Sequence, residues 1–501
     1  MQSSQLVRFA LVGLIGCSTD SRPAPTTSMA DADTRESGAT DSEPLDAAGE
    51  PRADSGRPGG RTDAAGDVLD GGLPDSGVDA AATAPDMGTP AARCDDVVFA
   101  DPVEPTDAGD GSLRLTGHRW FPDFGTDLGL GYAASRLGDE IGVLFALRHE
   151  IPEHSAGYAV YFVRLDATGR PVGPTTRLQE EIPGVRPISL SLVSGPGEWA
   201  AGWRELGGCY SRGCRVVFRR IGPDGCARGP EVSVAEHWDL RGDQLQLVGL
   251  AYSTGDGYGA LVSYLGDLRG DLSFQRLGAD GLSLEPPVIL ARGNLNHTLR
   301  LVGLPDGNFV GSWGDGDFLF PEITSLQVVH PASSTVEPFV DFPTLDAADF
   351  GFDGTTLVAS GFRSVYVAPS YRDQTVVLRG RSLEHTTVLA ERTAPESAYP
   401  FPRFTSVDVR EGEMVVLRAR QLAFETDDYE IGILTGPVPT SAGEPFAARG
   451  TFRAIGPEIV VAASAPSVRF ASRDRAVVLW VHGGVEETEL RAMPIAVEPE
   501  P

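Results

Sequence analysis

Beyond about residue 94, apolar and polar residues alternate in short runs that are separated by Gly, Pro, Asp and Asn. Alternation with a period of two places successive side chains on opposite faces of a strand. Apolar residues spaced three and four apart, which indicate an amphipathic helix, are rare. In one clear example, runs over residues 189–194 and 198–205 are joined by Gly-Pro-Gly. The pattern predicts an all-β domain over residues 94–501.

The strand runs recur at a regular interval. Gly169, Gly225 and Gly281 follow one another every 56 residues, and each ends an aromatic-containing run at a tight turn. A glycine is expected there because such turns require a positive φ. Weaker copies continue to the end of the chain, which gives seven units of four strands each. Units of this length and strand number are typical of a β-propeller, so we predict a seven-bladed β-propeller of four-stranded blades.

The two ends of this domain complement each other. The last unit has three predicted strands, at about residues 460–464, 476–481 and 487–495, and then stops. A further strand-like run over residues 96–103 precedes the first unit. Pairing this run with the last blade would close the ring and remove an exposed sheet edge.

The units resemble the propeller repeats of bacterial cell-surface proteins, which occur in exported proteins and lipoproteins. The resemblance is carried by residues 307–313, which run from a glycine to a tryptophan, by residues 198–203 and by the three glycine turns. It covers residues of about 127 to 496. It implies a fold and not an activity, because propellers have many functions.

The N-terminus carries a different signal. Arg8 precedes a short apolar run over residues 9–15, and Leu-Ile-Gly-Cys ends at Cys17. This tetrapeptide resembles the bacterial lipobox, which implies removal of residues 1–16 as a signal peptide and lipidation of Cys17. Ser18 after the cysteine, by resemblance to enterobacterial sorting, favours the outer membrane and leaves its side open. The alternative is an ordinary signal peptide that is cleaved elsewhere.

Residues 17–93 form a segment of Ala, Asp, Gly, Pro, Ser and Thr, and residues 18–92 contain no Phe, Trp, Tyr or Ile. Such a segment buries too little apolar surface to offset the entropy of ordering. We therefore predict a disordered tether between the lipid anchor and the propeller.

The charge of the chain excludes some partners. Its formal net charge is −29, and all 41 basic residues are arginine. Nucleic-acid phosphates would be repelled, and the absence of lysine excludes Schiff-base chemistry. The predicted membrane contact is therefore through the lipid anchor alone.

Five cysteines suit an exported protein with one lipidated residue. Cys209 and Cys214 are separated by four residues and are predicted to form a disulfide within one loop. Cys226 lies in the outer turn of the same unit, on the opposite face of a propeller. It is therefore left to pair with Cys94 or to remain free.

No motif identifies a catalytic, cofactor or metal site, and we predict none. In His-Glu-Ile-Pro-Glu-His, the second histidine lies five residues after the first, and Pro152 excludes the helix that a zincin motif needs. A metal-binding loop is the alternative to an exposed polar loop at His149 and His154.

The loops on one face of the predicted ring are rich in aromatic, His, Arg and Asp residues, which suit a sugar or peptide site. Each aromatic could instead fill a gap between blades. Two functions remain: a module that binds or scaffolds a protein or glycan, and an enzyme that uses paired carboxylates on envelope or extracellular polysaccharide. The residues assigned to this ligand face are His118, Arg119, Trp120, His237, Trp238, His297, Arg300, Trp313, Tyr366 and Tyr399.

Overall fold

Chain contacts divide the protein into two units, Met1–Ala84 and Pro85–Pro501. All residues that the computed structural model describes belong to the second unit. The predicted signal peptide, Cys17, the tether and residues 96–103 therefore lie outside the described residues. The described ranges are 106–115, 131–151, 154–179, 185–206, 214–237, 244–255, 257–265, 270–293, 296–314, 322–333, 335–338, 345–367, 370–379, 385–395, 403–421, 429–439, 466–483 and 488–497.

Strands make up almost all of the regular structure in these ranges, with one 3₁₀ turn at Pro331–Ser333 and no helix that is long and apolar enough to span a bilayer. Two short strands come first, β1 (Thr106–Asp107) and β2 (Leu113–Arg114). The next twelve are β3 (Tyr132–Leu137), β4 (Glu140–Ile151), β5 (His154–Leu165), β6 (Thr176–Arg177), β7 (Arg186–Ser194), β8 (Trp199–Leu206), β9 (Cys214–Ile221), β10 (Ala227–His237), β11 (Gln244–Ser253), β12 (Gly257–Leu265), β13 (Gly270–Leu277) and β14 (Val288–Gly293).

The second half of the chain repeats the same arrangement. Its strands are β15 (Asn296–Gly303), β16 (Phe309–Gly314), β17 (Glu322–His330), β18 (Thr335–Pro338), β19 (Leu345–Phe352), β20 (Leu357–Val367), β21 (Ser370–Arg379), β22 (His385–Pro395), β23 (Arg403–Arg410), β24 (Glu413–Gln421), β25 (Tyr429–Pro437), β26 (Ser467–Ser472), β27 (Arg475–Gly483) and β28 (Thr488–Ala496).

Consecutive strands pair antiparallel to form sheets. The β3–β6, β7–β10 and β11–β14 sheets have four strands each, and β23–β25 form a three-stranded sheet. Strands β15–β18 and β19–β22 are two further groups, joined into one sheet where β17 meets β19. The last sheet contains β26, β27 and β28.

The first strand of each group, which we call the inner strand, lies beside the first strand of the next group. The inner strands are β3, β7, β11, β15, β19, β23 and β26, and β26 returns to β3. The fold is therefore a β-propeller, as predicted. The number of blades stays a prediction, because β23–β25 has three described strands and two groups share one sheet.

Aromatic side chains pack where neighbouring sheets meet. Phe162 on β5 contacts Trp199 on β8, with ring centroids 5.2 Å apart. Phe218 and Tyr258 repeat this contact at 5.3 Å, and Phe274 and Phe309 repeat it at 5.0 Å. Phe162, Phe218 and Phe274 are themselves 56 residues apart. These repeated aromatics fill the space between sheets, and their burial explains the strict spacing of the repeat.

The glycine turns have the predicted backbone conformation. Gly169, Gly225 and Gly281 have φ values of 72°, 84° and 82°. At Gly281 the space is also closed, because a Cβ atom would lie 2.2 Å from the Phe218 ring. The turn prediction is therefore confirmed, and Gly281 is required by packing as well as by φ.

The N-terminal segment pairs with the last sheet through residues other than those predicted. Leu113 is opposite Ala492 and Arg114 opposite Arg491, so β2 lies next to β28, where residues 96–103 were expected. The side chain of Arg491 reaches Asp110 at 3.0 Å. The two-residue strand β2 is too short to show alternation, so the sequence did not reveal it.

The first strand of the last group also differs from the prediction. The strand that pairs with β27 is β26 (Ser467–Ser472) rather than residues 460–464, which lie outside the described residues. A two-residue turn joins β26 to β27, so these strands pair first. Arg469 interrupts the apolar run of β26, and this polar residue concealed the strand.

Candidate ligand-binding cavity

The inner strands surround one central cavity of about 160 Å³. All seven inner strands contribute to its wall, which is the arrangement expected at the axis of a propeller. The lining residues are Tyr132, Ala133, Ala134, Leu190, Ser191, Leu192, Gly249, Leu250, Arg300, Leu301, Val302, Asp349, Phe350, Thr405, Ser406, Pro466, Ser467 and Arg469.

The wall of this cavity has an apolar and a polar part. Strands β3, β7 and β11 supply mostly aliphatic side chains, such as Leu190, Leu192 and Leu250. Strands β15, β19, β23 and β26 supply Arg300, Asp349, two hydroxyl residues next to each other on β23, and Arg469. A molecule in the cavity would therefore meet hydrocarbon on one side and charged or hydroxyl groups on the other.

Asp349 is the centre of the polar part and is only 4 % exposed. Its Oδ1 accepts a hydrogen bond from Arg300 Nε at 3.1 Å. Its Oδ2 accepts hydrogen bonds from Ser406 Oγ at 2.9 Å and from the backbone N–H of Val407 at 3.2 Å. Arg469 Nη1 lies 3.8 Å from the same oxygen. Both carboxylate oxygens are thus engaged by the protein.

These contacts control the ionisation of Asp349. Burial alone raises the pKa of a carboxyl group, but Arg300, Arg469, the Ser406 hydroxyl and the Val407 N–H together hold the pKa of Asp349 below its ordinary value. Asp349 is therefore a carboxylate at neutral pH. A carboxylate with a lowered pKa cannot serve as the general acid that polysaccharide hydrolysis needs.

Arg469 connects three inner strands. Its Nε donates to the carbonyl of Ala134 on β3 at 3.1 Å, and its Nη1 donates to Ser406 Oγ on β23 at 3.1 Å. Through these bonds the guanidinium lies across the point where the last inner strand meets the first. Arg469 thus has a structural role in addition to the charge that it brings to the wall.

A repeated contact lies beneath the charged groups. Ser191, Asp349 and Ser406 each lie eight residues before the first buried apolar residue of the following strand, so they are equivalent positions in the repeat. Each accepts a hydrogen bond from a backbone N–H of the next inner strand: Leu250 to Ser191 at 3.0 Å, Val407 to Asp349 at 3.2 Å and Val468 to Ser406 at 3.2 Å. Neighbouring inner strands do not pair in a sheet, and these side chains satisfy backbone groups that would otherwise be left unpaired.

A second buried carboxylate lies behind the wall. Asp408 accepts hydrogen bonds from the backbone N–H groups of Phe470 at 2.7 Å and Val409 at 3.0 Å. Burial raises the pKa of Asp408, and the nearby charges of Arg469 and Arg136 only partly oppose this effect. Asp408 is not among the cavity-lining residues. Asp349 is therefore the one carboxylate that lines the cavity within the part of the chain that the structure describes.

The remaining titratable group in the wall is the phenol of Tyr132. It donates a hydrogen bond to the carbonyl of Leu479 at 2.9 Å, and burial raises its pKa above the ordinary value. Tyr132 thus stays protonated and acts as a donor. No cluster of three metal-ligating side chains occurs among the described residues.

Among the residues assigned to the ligand face, Arg300 is the one whose side chain is described, and it lies in the cavity wall. The structure places the backbone of four others on strands: His237 ends β10, and His297, Trp313 and Tyr366 lie on β15, β16 and β20. His149 and His154 lie on β4 and β5, near the hairpin where Ile151 pairs with His154. The remaining assigned residues lie outside the described residues: His118, Arg119, Trp120, Trp238 and Tyr399.

Cys226 is 6 % exposed and forms a disulfide. It follows the end of β9 opposite to Cys214, and an eight-residue strand is about 24 Å long. A disulfide joins Cα atoms that are less than about 7 Å apart. Cys214 is thus excluded as its partner. Cys209 is excluded too, because three residues from Leu206, which pairs with Cys214, span only about 10 Å.

Asp349, Ser406 and Arg469 were not predicted from the sequence. A usable signal did exist, since Arg300, Asp349 and Arg469 each stand between two apolar residues within an inner strand. A charged residue inside a short apolar run is expensive to bury unless it is paired. Such residues on several inner strands therefore indicate a charge cluster at the axis.

No protein-family model and no curated protein matches the sequence. Among solved structures, an α-L-arabinanase from Penicillium chrysogenum, solved with arabinobiose, has a TM-score of 0.40 and 10% identity, covering 77% of this chain and 98% of that one. The β-propeller domain of the Trilobed protease from Pyrococcus furiosus has a TM-score of 0.37 and 8% identity, with coverages of 80% and 97%. Because these values are low, the likenesses carry no information about substrate or activity.

Proposed function

We propose that this chain is a lipid-anchored protein of the cell envelope whose β-propeller binds a partner, either a protein or a glycan, and performs no catalysis. The observation that supports binding is the make-up of the central cavity. Its wall combines aliphatic side chains, two arginines and hydroxyl groups with a single carboxylate that the protein itself holds. Such a wall recognises ligands, and it offers no free acid–base pair in the described residues.

The anchor and the tether in this proposal come from the sequence. Cys17 carries the lipid, residues 17–93 form the tether, and the outer membrane is the proposed destination. With Cys209 and Cys214 excluded, and Cys17 lipidated, Cys94 is the proposed partner of Cys226. This bond would attach the end of the tether to the β7–β10 sheet. The Cys209–Cys214 disulfide stays a prediction.

Binding is tested with the purified full chain on a glycan array and in cross-linking to envelope proteins, in parallel with an Arg300→Gln variant. We expect at least one glycan or protein partner that the wild type retains and the variant binds at least tenfold more weakly. The control is Arg276→Gln, which makes the same change at the exposed pair with Glu285. Equal binding by Arg300→Gln and wild type would show that the cavity is not the binding site.

Lipidation is tested separately by substituting Cys17→Ser and fractionating cells. The wild type should label with a radioactive fatty acid and sediment with membranes, whereas Cys17→Ser should lose the label and leave the membrane fraction. A wild-type chain that is soluble and unlabelled contradicts the anchor. This outcome would leave the cavity and its ligand unaffected.

The alternative function is an enzyme that acts on envelope or extracellular polysaccharide. It requires two carboxyl groups at about 5 to 10 Å, and the described residues supply one to the cavity wall. The second acid would have to come from residues outside the described ranges. Release of reducing sugar from polysaccharide by the purified chain would establish this alternative.

A further inference from the structure

The charges around the cavity do not cancel. Arg300 and Arg469 face one carboxylate, Asp349, so the wall carries one excess positive charge. Behind the wall, Arg136 and Asp408 contribute one charge of each sign near Arg469. The excess thus remains at least one, in a chain whose formal net charge is −29. A local positive site within an acidic protein favours a bound anion over a cation.

Arg300 is the group best placed to meet such an anion. Its side chain is 33 % exposed and lines the cavity, and it contacts Asp349 through Nε. A guanidinium presents several N–H donors in a planar fork that matches a carboxylate. The ion pair with Asp349 also holds the guanidinium in place, which lowers the entropy that a ligand must overcome on binding.

The rest of the wall indicates what the anion carries. Leu190, Leu192, Leu250, Leu301 and Val302 form an aliphatic surface in the same cavity. Burial of hydrocarbon there contributes about 25 cal/mol per Å² of ligand surface. A fully polar ion such as sulfate would leave this surface in contact with water, whereas a branched hydrocarbon body would cover it.

The size of the cavity limits the ligand. A cavity of about 150 Å³ accommodates benzene in another protein, and the present one is about 160 Å³. A ligand of roughly six to eight non-hydrogen atoms therefore fits. We propose that the central cavity binds a small monocarboxylate with an apolar, branched body, with the carboxylate at Arg300 and the hydrocarbon against the leucines of β7 and β11. This inference rests on the proposed function, since it names the ligand class of the binding module.

The experiment is isothermal titration calorimetry of the purified full chain with 3-methylbutanoate, 3-methylbutanamide and acetate. The amide has the same shape without the charge, and acetate has the charge without the body. We expect the carboxylate to bind at least tenfold more tightly than either. Equal affinity of acid and amide would overturn the anion site, and equal affinity of acetate would overturn the apolar contact.

Three variants locate the site. Arg300→Gln should weaken 3-methylbutanoate binding at least tenfold, whereas Arg276→Gln should leave it unchanged. Asp349→Ser removes the competing carboxylate but keeps a hydroxyl at the repeat position, so it should tighten binding several-fold. A folding defect would not raise affinity, and this keeps the test decisive even if Arg300→Gln is destabilised. Unchanged binding in both cavity variants would refute the proposal.

The outcomes also separate this inference from the proposed function. If the array or the cross-linking finds a partner while 3-methylbutanoate does not bind, the ligand class is wrong and the binding module stands. If 3-methylbutanoate binds and no envelope partner is found, the cavity inference stands and the proposed partner is wrong.

Discussion

Two junctions between inner strands use the same repeat position in different ways. Between β7 and β11, Ser191 accepts one hydrogen bond from the backbone of Leu250. Between β19 and β23, Asp349 accepts the equivalent bond from Val407 and also binds Arg300 and Ser406. A serine therefore makes a neutral clamp, and an aspartate at the same place makes a clamp that assembles a charged wall.

The difference shows how a repeat fold acquires a site. The backbone bond is a requirement of the architecture, because an unpaired N–H at that depth costs about 1 to 3 kcal/mol. A carboxylate meets this requirement as well as a hydroxyl does, and it then needs its own counter-charges. Arg300 and Arg469 supply them from inner strands on either side. One substitution within a structural position thus brings two charged residues to the axis.

Asp349→Ala should give the largest effect, because it removes the clamp and the counter-charge together. Breaking a buried ion pair costs about 3 to 5 kcal/mol, and we expect about 3 kcal/mol, since Arg300 and Arg469 are partly exposed. The measurement is the free energy of unfolding in urea. A loss below about 1 kcal/mol would mean that the charged junction is no stronger than the neutral one.

Asp349→Ser should cost less, because the hydroxyl can still accept the bond from Val407. We expect a loss of about 1.5 to 2 kcal/mol, which isolates the contribution of the ion pairs. The same urea titration measures it, with Asp349→Ala as the reference. If the two variants are equally destabilised, the clamp contributes nothing at this junction.

Ser191→Ala tests the neutral junction by itself. It leaves the N–H of Leu250 without its side-chain acceptor, and we expect a loss of about 1 kcal/mol. The Ser406→Ala variant is a poor control, because Ser406 also contacts Asp349 and Arg469. A stabilised Ser191→Ala variant would contradict the architectural role of the clamp.

The smallest effect is a difference in pH dependence. The pKa of Asp349 is lower in the folded chain than its ordinary value of 3.8, so its ionised form adds stability above that value and the contribution is lost as the pH falls through the folded pKa. The advantage of the wild type over Asp349→Ser should shrink by a few tenths of a kcal/mol by about pH 4 and further below it. Urea unfolding of both proteins across the acid range measures this. An advantage that grows as the pH falls would reverse the assigned direction.

The repeated features were predictable because they are local. Gly169, Gly225 and Gly281 mark turns that need a positive φ, and Phe162, Phe218 and Phe274 mark the faces between sheets. Both signals depend on residues within one unit, and their spacing of 56 residues exposes the period. The closing strand β2 and the inner strand β26 were missed because short length and polar residues hide the alternation that reveals a strand.

The site was only partly predictable. Arg300 was assigned to the ligand face because it follows a loop that enters an inner strand, and it does line the cavity. Its partner Asp349 is 49 residues away, and Arg469 is 169 residues away. Their local sequences show charged residues in apolar runs, but nothing in them indicates which charge pairs with which.

The amino-acid sequence by itself determined the all-β class, the repeat and its turns, because strand alternation and turn chemistry act over a few residues. It also carries the predicted lipid anchor and tether, whose signals are compositional. The tertiary structure alone decided that Arg300, Asp349, Ser406 and Arg469 meet at one point. Closing the ring brings strands from distant parts of the chain to a common axis, and a buried carboxylate is tolerated there only with the counter-charges that this closure supplies.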